Sequence, residues 1–99
     1  MILREKVIFQ FNKNYCLFND FTYVYLFGSA LFSKRETNDI DILVIYKKYS
    51  KEIRDEVINI ENMFYFNFKI PIDITVLSED EEKQVCFLKR LKSNYLKIK

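Results

Sequence analysis

Asp39 and Asp41 stand two residues apart in the apolar run "DIDILVIY", residues 39–46. Side chains alternate along a strand, so both carboxylates share a face with Leu43 and Ile45. Ile40, Ile42, Val44 and Tyr46 take the other face. Two like charges this close repel each other, and burying them unpaired is costly. A divalent cation relieves both problems. Mg2+ takes oxygen ligands, commonly one or two carboxylates plus waters and substrate phosphates. A third carboxylate, Asp73, lies between Ile72 and Ile74 in a later β-prone run, "IDITVL". If that run lies beside the first, three carboxylates converge. Such a trio holds two metal ions about 4 Å apart, which clamp the attacking and leaving oxygens of an in-line displacement at phosphorus. Asp39 and Asp41 would then share the metals. Asp73 would hold the one that activates an acceptor hydroxyl, and would help take its proton.

The only glycine of the chain, Gly28, precedes Ser29 at the end of another β-prone run, "YVYLF", residues 23–27. Lacking a Cβ, glycine lets the backbone approach a phosphate closely. The N–H groups that follow, at the start of a short helix from Ala30, are expected to point at a triphosphate. The Ser29 hydroxyl is placed to donate to a terminal phosphate oxygen. Lys34 and Arg35, in the polar loop "SKRETN" of residues 33–38, are candidate cations for the same phosphates. Singly, each feature has a plainer role: Asp39 capping a turn, Asp41 charging an edge strand, Asp73 facing solvent, Gly28 in an ordinary turn. Jointly, those roles must explain three carboxylates in apolar strands and a Gly-Ser turn beside them. The chain has no histidine, which excludes His-based acid–base, triad and metal chemistry.

Elements that position these residues are readable from periodicity. Leu3, Val7, Phe11, Tyr15 and Phe18 recur at spacings of three and four, which predicts an amphipathic helix over residues 3–18. Strands follow at residues 23–27 and 40–46. Ile53, Val57, Ile60 and Phe64 predict a helix from residue 51 that fails near residues 66–70, with Ser50 as its N-cap. Pro71 then sits at or near the start of the third strand, where a missing N–H is tolerated. Ser78 and Glu81 fit a capping box, and Val85, Leu88, Leu91 and Tyr95 predict the apolar stripe of one last helix. The expected fold is one α/β (α+β) domain over residues 1–99, a small mixed sheet of about three strands covered by helices.

Composition narrows the class. Hydrophobic residues make up 49% of the 99 residues, enough for a core, and the charged 30% argues against disorder. The net charge of +2 does not mark a nucleic-acid binder, although the charges are segregated. Glu79, Asp80, Glu81 and Glu82 are consecutive, while Lys89, Arg90, Lys92, Lys97 and Lys99 are the only charges from residue 84 onward. One helix with acids at its start and bases at its end accounts for this pattern. Cys16 and Cys86 lack metal-ligand spacing and read as small core residues in a reducing compartment, the cytoplasm, with a disulfide left open. No signal peptide or membrane span is expected. Tyr65, Phe66 and Phe68 read as core or partner surface rather than as a platform for a base.

The motif resembles that of the DNA polymerase beta-like nucleotidyltransferase superfamily. An apolar residue and Gly-Ser, nine residues, then Asp-apolar-Asp-apolar is the pattern of that family. Phe27-Gly28-Ser29 followed by Asp39-Ile40-Asp41-Ile42 is similar to it, and Asp73 falls where the family places its third carboxylate. The resemblance extends over nearly the whole chain, through the order of helices and strands. The short chain is similar to the minimal nucleotidyltransferases, several of which act as antitoxins that transfer AMP from ATP to a tyrosine of an HEPN-type toxin. The resemblance therefore implies a Mg2+-dependent enzyme with two ions, ATP as donor, and an HEPN-type partner or a homodimer. Nucleic acid is not indicated, though other superfamily members act on tRNA or small molecules. Many relatives carry Arg and Gly soon after Gly-Ser, where this chain has Phe32 and Ser33. That departure implies a different triphosphate grip or loop shape, and it makes a non-catalytic module that neutralises a partner by contact the alternative.

Overall fold

A computed structural model describes residues 2–32 and 39–99. Helix α1, Leu3–Lys13, buries Val7 and Phe11 one turn apart. It stops five residues before the predicted end. The Asn14 side-chain amide donates to the Gln10 carbonyl at 3.0 Å, the local bonding that makes asparagine a poor helix-interior residue. The chain continues as a 3-10 turn, Tyr15–Phe18, which still delivers Phe18 to the core. The Phe11 and Phe18 rings lie 4.6 Å apart, centre to centre.

Strands β1, Tyr23–Phe27, and β2, Ile40–Tyr46, pair antiparallel, with a short helix α2, Ser29–Phe32, leaving the end of β1. Helix α3, Lys51–Phe68, then carries the chain back so that β3, Ile72–Ser78, pairs parallel with β2. Ser50 stands at the N-cap of α3 with extended backbone, but its side chain makes no capping bond. The alternation predicted for β2 holds. Ile40, Ile42 and Val44 are fully buried in the main core with Ile53, Ile60 and Phe64 of α3. Leu43 and Ile45 face the other way, into a smaller cluster with Tyr25. Removing each such aliphatic side chain from water stabilises the fold by about 1.5–3 kcal/mol. The more apolar face thus anchors β2, and the opposite face is left to carry its acids.

The C-terminal quarter departs from expectation. The predicted capping box forms: Glu81 N–H donates to Ser78 Oγ at 3.0 Å, and Ser78 N–H donates to Glu81 Oε1 at 2.9 Å. The helix it opens, α4, covers only Glu79–Val85. Cys86 takes a left-handed conformation, φ 53°, and the Glu82 carboxylate accepts the Leu88 N–H at 3.2 Å. A short α5, Phe87–Arg90, runs from that turn. After a second left-handed residue, Lys92 at φ 56°, Tyr95–Lys97 form β4 against β1. The sheet therefore has four strands in the order β3-β2-β1-β4. An unpaired β1 edge would leave backbone groups open, and the β-prone Tyr95-Leu96 pair closes it. Lys97 and Lys99 consequently lie on or beyond a strand, not at a helix end.

The cysteines also depart from expectation, since both are free and exposed. Cys16 sits on a 3-10 turn whose inward position goes to Phe18. Cys86 is the left-handed corner itself, with its thiol directed to the Lys83 carbonyl at 3.3 Å. Among the described residues, no helix is long and apolar enough to cross a membrane.

Candidate active site

Parallel pairing sets Asp41 of β2 opposite Asp73 of β3. The Ile40 N–H donates to the Pro71 carbonyl at 3.1 Å, which locks the starts of the two strands together. Asp39, two residues before Asp41, lies on the same face. One carboxylate oxygen from each of Asp39, Asp41 and Asp73 falls within 4.8 Å of the others. Asp39 and Asp41 are half-buried and Asp73 is exposed. The Asp41 carboxyl is held above its ordinary pKa, first by burial and then by the negative charges of Asp39 and Asp73. A cation among the three oxygens reverses that penalty. An all-oxygen, carboxylate donor set suits Mg2+ rather than a thiolate- or imidazole-loving metal. The residues present therefore fit the metal that the motif implies.

The other neighbour of Asp41 is Phe27 of β1, its antiparallel partner. Gly28 follows directly, at φ 77°, and a Cβ there would overlap the Asp41 carboxylate. Glycine is needed at this position twice over, for its backbone conformation and to leave room for the acid. The Leu31 N–H donates to the Gly28 carbonyl at 3.1 Å as the chain turns into α2. Ser29 is exposed at the mouth of an open cleft of about 690 Å³ lined by Phe27, Gly28, Ser29, Arg90, Leu91 and Asn94.

The structure thus brings together Asp39, Asp41, Asp73 and Gly28, with Ser29 at the turn that follows. Lys34 and Arg35 lie outside the described residues. Arg90 and Asn94 are cleft residues that the sequence reading missed. Their arrival depends on the break at Cys86, and no spacing in the sequence announces that break.

A family profile described as "Polymerase beta, Nucleotidyltransferase" matches residues 5–96. The chain belongs to this nucleotidyltransferase family. A solved structure from Sulfolobus solfataricus, provisionally named a nucleotidyltransferase, superimposes with a TM-score of 0.51 and 23% identity. The match spans 96% of this chain and 78% of that one, and shows a shared fold. No curated protein matches the chain. Nucleotidyltransferase domains generally use a nucleoside triphosphate and a divalent metal ion, in keeping with the three converging carboxylates.

Proposed function

We propose that this nucleotidyltransferase moves AMP from ATP to a hydroxyl acceptor, a tyrosine of an HEPN-type partner that it thereby neutralises in the cytoplasm. The observation that carries the chemistry is the convergence of Asp39, Asp41 and Asp73 within 4.8 Å beside a Gly-Ser turn. Mg2+, when bound, supplies charge neutralisation and polarisation at the α-phosphorus. Asp39 and Asp41 would hold it from one strand, and Asp73 would complete the ligand set from the next. Asp73 is also the exposed member of the trio, and in this reading it takes the proton of the incoming acceptor hydroxyl. The Ser29 hydroxyl donates to a terminal phosphate oxygen. The acceptor oxygen bonds to the α-phosphorus as the bond to the β-phosphate oxygen breaks, and pyrophosphate leaves with the electron pair. Catalysis in this arrangement is mainly positioning and electrostatics.

The acceptor and the antitoxin role rest on the resemblance of the motif to minimal nucleotidyltransferases. One surface feature supports a protein acceptor. Tyr65 and Phe66 are 55% and 74% exposed at the end of α3 that leads through Pro71 into the start of β3, where Asp73 lies. Lys69 Nζ rests 4.8 Å from the centre of the Phe66 ring. Exposed aromatic side chains suit a protein interface, where such residues are enriched. The test incubates the chain with labelled ATP, Mg2+ and the partner, and compares wild type with the double variant Asp39→Ala/Asp41→Ala. Label on a partner tyrosine is expected for wild type only. Neutralisation that persists in the double variant and in Asp73→Ala points to contact alone and overturns the enzymatic reading.

A further inference from the structure

We infer that Arg90, with Asn94 beside it, grips the β- and γ-phosphates of the donor nucleotide. This rests on the nucleotidyltransferase reading of the site and extends it to residues outside the motif. The cleft at Gly28 and Ser29 has two walls. One is the end of β1, and the other is the segment after α4, which contributes Arg90, Leu91 and Asn94. Phe27 pairs with Asp41 on one side and with Tyr95 on the other. The cleft therefore adjoins the carboxylate trio, and Asn94 comes opposite Gly28, one residue beyond the last strand pair.

Charge decides what this cleft takes. Arg90 is the cation among its described lining residues, and no carboxylate is among them. A nucleoside triphosphate reaching the trio brings several negative charges towards three acids. Its tail needs positive charge on the side away from them. Guanidinium supplies a planar fork of donors matched to phosphate oxygens. The Asn94 amide adds a neutral donor at the same wall.

The segment is held in place at both ends. The Arg90 N–H donates to the Cys86 carbonyl at 3.0 Å, and the Asn94 N–H to the Leu91 carbonyl at 3.0 Å. The Phe87 ring packs edge-on against Phe27 at 5.4 Å between centres, and β4 fixes Tyr95 beside Phe27. Arg90 thus brings a guanidinium to the Gly28-Ser29 turn from the far end of the sequence.

The test measures equilibrium binding of inorganic tripolyphosphate, ATP and AMP to the full chain in Mg2+. Wild type is compared with Arg90→Ala, Arg90→Lys and Lys89→Ala. Lys89 is a neighbouring exposed cation that does not line this cleft. Arg90→Ala is expected to weaken tripolyphosphate and ATP by at least about tenfold. AMP, which lacks the tail, should change by less than about twofold, as should every ligand with Lys89→Ala. Arg90→Lys should fall between, keeping the charge and losing the fork. Arg90 is exposed, so circular dichroism should show an intact fold, and Arg90→Gln replaces the alanine variant if it does not. Equal losses for Arg90→Ala and Lys89→Ala overturn the inference, because general charge then explains the binding. Unchanged ATP binding by an Arg90→Ala protein overturns it too, and if wild type transfers label the nucleotidyltransferase reading survives. Wild type that binds neither ATP nor tripolyphosphate defeats both.

Discussion

Gly28 and Asp41 constrain each other at the residue scale. The Asp41 carboxylate occupies the space that a Cβ at position 28 would need, and the φ of 77° lies where other residues are disfavoured. Gly28→Ala therefore carries a backbone cost of about 1–2 kcal/mol, plus whatever movement of Asp41 relieves the overlap. Thermal denaturation should show a clearly lowered midpoint, with transfer lost because the trio no longer converges. A variant as stable and as active as wild type contradicts the contact. The sequence made this glycine conspicuous by its singularity and assigned it to phosphate approach. Its contact with Asp41 was not legible, because that depends on the register of β1 against β2.

Elements differ in how much of them was written locally. β2 was legible to the residue, since its branched side chains alternate between two faces that both find partners. The Ser78–Glu81 box was legible because two residues three positions apart suffice to make it. The breaks at Cys86 and Lys92 were not, since neither residue is one that ordinarily signals a left-handed turn. A second element-level junction ties α3, the segment before β1 and the C-terminal residue together. Glu56 of α3 hydrogen-bonds Asp20, and its pKa is pushed up to about 7 from 4.5, first by burial and then by Asp20. Glu56 Oε2 is buried without a hydrogen-bond partner. Lys99 Nζ, with its own pKa lowered chiefly by burial, donates to the Phe18 carbonyl at 2.7 Å. A carboxyl whose pKa rises on folding binds its proton more tightly in the folded state. The stability it contributes is full below pH 4.5, falls as pH rises through about 7, and is flat above. Melting temperatures from about pH 5 to about pH 8 should therefore fall for wild type, with Glu56→Gln removing much of the slope. An unchanged slope assigns the pH dependence elsewhere.

For the whole molecule, the sheet is what turns scattered motif residues into a site. β2 lies between β1 and β3, so Gly28 and Asp73, 45 positions apart in sequence, flank one aspartate. The Asp73 side of this arrangement was legible as the convergence expected if the third strand lay beside the second, whereas the Gly28 side was not, because it depends on where β1 pairs. The fourth strand and the Arg90 wall were not legible either, because they follow from a chain reversal that local periodicity does not encode. The central claim is nucleotidyl transfer, and the position of the label reads it most directly. The chain, Mg2+ and the proposed HEPN-type partner are incubated in parallel with ATP labelled at the α-phosphorus and at the γ-phosphorus. The α-label should appear on the partner and the γ-label in pyrophosphate, with neither outcome in the Asp39→Ala/Asp41→Ala variant. Transfer of the γ-label, or α-label transfer that persists in the double variant, contradicts the account.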